Sequence, residues 1–175
     1  PDEALFSAAV QARLCRLLAR AAGHEGMAGG QAIDLASVGQ ALTENQLRQM
    51  HRLKTGALLR GSVMMGAACR EPAGTAHAAT EQALSRFGDA IGLAFQVVDD
   101  ILDVTTDTAI LGKTAGKDAA ADKPTYVSVL GLERSRDYVQ ELYAQAMAAL
   151  DASGLAAPST RALRALAGVV VHRDK

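Results

Sequence analysis

Three carboxylates interrupt an apolar run in this chain: Phe95-Gln96-Val97-Val98-Asp99-Asp100-Ile101-Leu102-Asp103. On a helix each residue turns the side chain by about 100°. Gln96, Asp99, Asp100 and Asp103 then project within an arc of about 100°, while Phe95, Val98 and Leu102 mostly point elsewhere. Nothing basic stands at helical spacing on that face to neutralise them. Like charges this close repel, and burial would protonate at least one of them. A helix carrying such a face calls for a cation. A cluster of hard oxygens favours Mg²⁺, which keeps waters and is completed by substrate phosphates rather than by protein ligands alone.

The remainder of the chain is helical by pattern. Of its 175 residues 49% are hydrophobic and only 3% aromatic, with four prolines, a usage that favours close-packed helices over a sandwich or barrel. Leu5, Phe6, Ala9, Val10, Leu14, Leu17, Leu18 and Ala21 recur at steps of three and four, which predicts an amphipathic helix from Asp2 to about Ala22. A second helical pattern covers Met27 to Val38. Thr43 with Gln46 forms a capping box for a third helix, expected to run through Lys54 to about Cys69. A long helix follows from about Thr75 or Ala79 to Val104, with Gly88 and Gly92 as places where it could bend. Thr105 to Asp122 is the least periodic stretch and reads as a ligand-ordered loop. Lys123-Pro124 restarts helix, Gly131 separates a helix from Leu132 to Leu150, and Ser159 to His172 closes the chain. The expectation is one all-α domain without a linker.

Charge and cysteines narrow the function classes. The formal net charge of -1 and the lack of a basic stripe argue against nucleic acid. No stretch approaches the length of a transmembrane helix, and no secretory leader is evident at the amino-terminus. Cys15 and Cys69 sit singly in apolar surroundings and read as buried free thiols of a reducing, cytoplasmic setting.

Other residues can carry chemistry. In Gly26-Met27-Ala28-Gly29-Gly30-Gln31-Ala32-Ile33-Asp34, Gln31 and Asp34 share a helix face beside glycines that permit close approach. A tight helix crossing with a surface acid explains them as well as a pocket does. Lys54 interrupts an apolar face, either as a snorkelling lysine or as a cation held at a buried anion. Lys113, Lys117 and Lys123 follow the aspartates, either solvated or turned to a ligand, and none lies in a Walker-type loop. The four histidines show no metal-ligand spacing. Together, carboxylates and lysines suit a polyanion bridged by a divalent metal.

These residues resemble the trans-polyprenyl diphosphate synthases, most closely the bacterial farnesyl diphosphate synthase (geranyltranstransferase) branch. The resemblance is carried by Gly26 to Leu35, Lys54-Thr55, Phe95-Gln96 with Asp99-Asp100-Ile101-Leu102-Asp103, Leu111-Gly112-Lys113, and Gly116-Lys117-Asp118 through Tyr126. It implies the helical isoprenoid synthase bundle. It further implies Mg²⁺, with Mn²⁺ as a substitute, held by Asp99, Asp100 and Asp103. Lys54 and Lys113 would contact the allylic diphosphate, with Lys123 close to the metals. Thr55 and Gln96 would stand near the allylic cation, and Gln31, Asp34 and Lys117 would support the pocket. Arg173 would lie near its mouth. The reaction implied is condensation of isopentenyl diphosphate with dimethylallyl and geranyl diphosphates to farnesyl diphosphate, by a homodimer.

One departure is large. The family's first aspartate-rich motif has no counterpart here: the acids before Asp99 are Asp2, Glu3, Glu25, Asp34, Glu44, Glu71, Glu81 and Asp89, none paired at the required spacing. The expectation is that residues 1–175 correspond to the carboxyl-terminal portion of one synthase domain, with the amino-terminal helices absent, and lack activity alone. A geranylgeranyl or other-length synthase, a non-catalytic helical partner subunit and a terpene cyclase of the same fold are the alternatives.

Overall fold

The computed structural model describes residues 6–70, 75–109 and 125–173, and the side chains of 75–77 and 106–109 are left aside. Among the described residues every regular element is helical. We number them α1 (Ala8–Ala22), α2 (Met27–Ala36), α3 (Glu44–His51), a π-helical turn (Arg52–Gly56), α4 (Ala57–Ala68), α5 (Thr75–Ala109), α6 (Tyr126–Leu130), α7 (Leu132–Asp151) and α8 (Ala157–His172).

Local chemistry sets several of these ends. Ser7 caps α1 by accepting from the Val10 amide. The expected capping box at α3 forms: the Thr43 amide donates to Gln46 Oε1 at 2.9 Å, and the Gln46 amide donates to Thr43 Oγ1 at 3.4 Å. Thr125 and Ser128 make the same reciprocal pair at α6. Gly131 then turns the chain at φ +82°, a left-handed region that costs glycine little, so α7 can start at once.

α5 is the spine. α7 runs along one side of it, α4 and the π turn along another, and α8 also packs on it. Two apolar clusters lie along its length. One joins Leu47, Met50, Val97, Tyr126, Tyr138 and Leu142; the other joins Ala67, Leu84, Phe87, Ile91, Ala146 and Leu150. Each fully buried large side chain contributes about 1.5–3 kcal/mol. Arg13 pairs with Glu81 and ties α1 to α5.

Three expectations need correction. The helix through Lys54 is not continuous α-helix, because a π turn divides it. α5 runs five residues past the expected Val104, to Ala109, and residues 110–124, including the rest of the expected loop, lie outside the described residues. Gly88 and Gly92, the expected places for a bend, are close crossing points of α5: a Cβ there would lie 2.8 Å from the Arg60 and Gly56 Cα atoms, respectively. Cys15 and Cys69 are exposed, on helix faces that nothing described here covers. Among the described residues no helix is long and apolar enough to cross a membrane.

Candidate functional site

The π turn presents Lys54 and Thr55. Such a turn widens the helix by one residue and is frequent at functional positions. Glycine contacts hold it from two sides. Gly30 of α2 lies so close that a Cβ would sit 2.1 Å from the Lys54 amide nitrogen, and Gly92 of α5 crosses at Gly56. Gly30, next to Gln31, thus serves the tight crossing, whereas Gly26 and Gly29 approach the backbone of Ala21 and His24 just before α2.

A polar chain runs outward from this turn. Lys54 Nζ donates to Asp34 Oδ2 at 2.7 Å, with Asp34 buried and Lys54 half-buried. The Thr55 hydroxyl donates to Gln96 Oε1 at 3.3 Å, and Gln96 Nε2 donates to Asp100 Oδ1 at 3.2 Å. The other Asp100 oxygen accepts from the Tyr126 amide at 2.7 Å. Four separate elements therefore meet: α2, the π turn, α5 and α6.

The aspartates divide. Asp100 is 3% exposed and both its oxygens are engaged, so it anchors α6 to α5 and does not share an open face with its neighbours. Asp99 is exposed, and Arg173 Nη2 donates to its Oδ1 at 2.9 Å and to the Phe95 carbonyl at 3.1 Å. The Arg173 guanidinium also stands over the Phe95 ring, 4.2 Å from its centroid. Asp103, one turn beyond Asp99, is half-buried. The expected ligand face of three carboxylates becomes two, Asp99 and Asp103 at i and i+4, because packing turns Asp100 inward.

The donor set suits a hard divalent cation in that reduced form. Among the described residues no three His, Cys, Asp or Glu side chains converge to hold a metal. Mg²⁺ takes one or two carboxylates and draws its other oxygens from water and phosphate, which two carboxylates on one face satisfy.

His51 escaped the sequence reading. It is buried beside the π turn, its ring 5.7 Å from that of Tyr126, and neither nitrogen has a hydrogen-bond partner among the described residues. Burial first, then the charge of Lys54, pulls its imidazole down to about 4 against the upward pull of the Asp34 charge. A folded chain with neutral His51 binds fewer protons than an unfolded one, whose imidazole titrates near 6.5. Stability therefore carries no His51 penalty above about pH 6.5 and falls with pH below it, levelling near 4, by about 3 kcal/mol in all. As pH is lowered from 7 to 4, denaturant midpoints are expected to fall more steeply for the wild type than for His51→Gln, and equal slopes would refute the assignment.

Of the other expected site residues, Gln31 is exposed one turn before Asp34 and has no hydrogen bond to Lys54. Lys113, Lys117 and Lys123 lie outside the described residues. Nothing in the sequence spacing pointed to the Tyr126 amide or to the partner of Arg173.

Residues 4–154 match the family model described as Polyprenyl synthetase. A probable farnesyl diphosphate synthase of Bradyrhizobium diazoefficiens is 54% identical over 129 residues, which are 74% of this chain and 39% of that protein. A chloroplastic geranylgeranyl pyrophosphate synthase of Catharanthus roseus is 44% identical over 161 residues, 90% of this chain and 43% of that one. The solved geranyltransferase of Helicobacter pylori complexed with magnesium and isoprenyl diphosphate matches at TM-score 0.80 and 34% identity, over 95% of this chain and 54% of the other. The chain spans about half the length, or less, of these relatives.

Proposed function

The chain belongs to the polyprenyl synthetase family, and from that membership we propose that the complete protein is a prenyltransferase. It would join isopentenyl diphosphate to dimethylallyl and then geranyl diphosphate, giving farnesyl diphosphate. The observation that carries this is the linked set Asp34, Lys54, Thr55, Gln96 and Asp100 beside the Asp99–Asp103 face. A helix bundle that needed only stability would gain little from charges clustered this way.

In the reaction the allylic C–O bond breaks and its electron pair leaves with the diphosphate. The double bond of isopentenyl diphosphate then attacks the allylic carbon, and a proton is lost to restore a double bond. Asp99 and Asp103 would hold Mg²⁺, which when bound supplies positive charge against the departing diphosphate. Mn²⁺ would serve in its place.

The chain's own residues do the rest. Lys54 would donate to the diphosphate from a position that Asp34 fixes, so little reorganisation accompanies the change in charge. Thr55 and Gln96 would present oxygen lone pairs toward the developing cation, and their mutual hydrogen bond fixes both. Asp100, through Gln96 Nε2, holds that pair in register. Lys113 and Lys123 would add donors, Lys117 and Gln31 would line the pocket, and Arg173 would steady Asp99.

Exposed Leu18, Met27, Ile33, Leu35 and Val38 collect on or beside α1 and α2 and offer an apolar face for a homodimer. A monomer mass for the complete protein in sedimentation would count against that pairing. The setting would be cytoplasmic.

The deciding experiment incubates the complete protein with isopentenyl and dimethylallyl diphosphates and Mg²⁺. Farnesyl diphosphate is the expected product, while no condensation would overturn the reading. A geranylgeranyl product would favour the second reading, which the Catharanthus roseus relative supports. Residues 1–175 alone are expected to give no product, since the family's first aspartate-rich motif has no counterpart among their acids. Turnover by that segment would remove the need for one.

A further inference from the structure

An open cavity of about 730 Å³ lies between α3, α5 and α7, within the size range of small-molecule sites. Its inner wall is apolar, with Ala90, Leu142 and Ala149 buried and Leu93 half-buried. Three guanidinium groups line it from separate segments: Arg48 on α3, Arg52 on the π turn and Arg86 on α5. On α5 the stripe of Arg86, Ala90 and Leu93 is turned by about 100° from that of Gln96, Asp99 and Asp103, so this is not the catalytic face.

The charges there are not balanced. Arg48 donates to Glu44 at 2.6 Å, yet its buried Nε finds no acceptor among the described residues. Arg52 donates only to the neutral Gln49, at 3.1 Å, and Arg86 has no ion pair with a described residue. Asp89 is the one carboxylate on the lining, and its nearest cation is Arg60, 3.8 Å away. Burial raises the Asp89 carboxyl above its ordinary value, although Arg60 and Arg52 pull it down. The Tyr138 ring, 5.7 Å from the Arg48 guanidinium carbon, adds a flat surface.

We propose that this cavity binds an amphipathic oxyanion, a hydrocarbon body ending in a phosphate or carboxylate head. Guanidinium forks match the planar or tetrahedral oxygens of such heads and bind them by charge-assisted hydrogen bonds. The hydrocarbon covers the half-buried Leu93 and packs toward the buried Leu142. The site is independent of the prenyl transfer reading, and its success or failure leaves that reading untouched.

The test follows the Tyr138 ring signals of the complete protein by NMR, assigned with Tyr138→Phe, during titration with decyl phosphate, decanoate and decanol. A saturable shift with at least one of the two anions is expected, and the tighter anion identifies the head. Arg86→Glu should weaken that anion about tenfold or more, the loss of one charge-assisted contact. Ala148→Trp, from an exposed position on the lining, should abolish the shift by filling the space. No saturable shift with either anion overturns the proposal. So does an equal response to decanol, or a shift that both variants leave intact.

Discussion

Alanine at Asp99 in the complete protein is expected to cut prenyl turnover by about 10²- to 10³-fold while leaving the fold in place. The separation of effects follows from the geometry. Asp99 is 59% exposed and its contact with the described chain is the Arg173 ion pair, which at such exposure contributes little to stability. Its loss removes one of two carboxylates proposed to hold Mg²⁺. Asp100→Ala should behave in the opposite order. That side chain is buried with both oxygens engaged, so its removal strands the Tyr126 amide and should cost about 3 kcal/mol of stability. Steady-state rates at several Mg²⁺ concentrations, alongside denaturant midpoints, distinguish the two. Wild-type turnover in Asp99→Ala would take that residue out of the metal role.

Gly30→Ala is expected to be strongly destabilising and to disturb the site as well. The added carbon would meet the Lys54 amide nitrogen at 2.1 Å and its Cα at 2.5 Å, both backbone atoms that no rotamer change can move. Either α2 shifts away from the π turn or the turn unwinds. Overpacking of this kind costs about 3 kcal/mol, and it displaces Lys54 from Asp34, so turnover should fall as well. Gly66→Ala is the control. A Cβ there meets nothing within 4 Å, and a helix interior gains about 0.5–1 kcal/mol from the exchange. Equal midpoints for the two variants in urea would show that the Gly30 crossing carries no constraint.

Much of the fold was legible because it depends on short-range chemistry. The three-and-four spacing of apolar residues gave the helices, and the Thr43–Gln46 pair marked the start of α3 to the residue. The conjunction of Gly26 to Leu35, Lys54-Thr55 and Asp99 to Asp103 pointed to the family that residues 4–154 match. The expected end of α5 at Val104 rests on the loss of apolar periodicity from Thr105 onward, yet the helix continues to Ala109. The two cysteines were misjudged for a related reason: apolar neighbours in sequence do not establish that another element covers them.

What the sequence by itself determined is which residues are present to do chemistry and which helices bear them, since periodicity and capping act over a few residues. Only tertiary structure decided what each does. Asp99 and Asp100 are adjacent in the chain and indistinguishable by type, but Tyr126, 26 residues later, and Gln96 hold one inside, while Arg173, 74 residues later, meets the other at the surface. The π turn and the depressed imidazole of His51 likewise accompany helices that close around Lys54 from distant parts of the chain. Desolvation and hydrogen bonding between distant segments set those roles, and neither can be read from spacing along one helix.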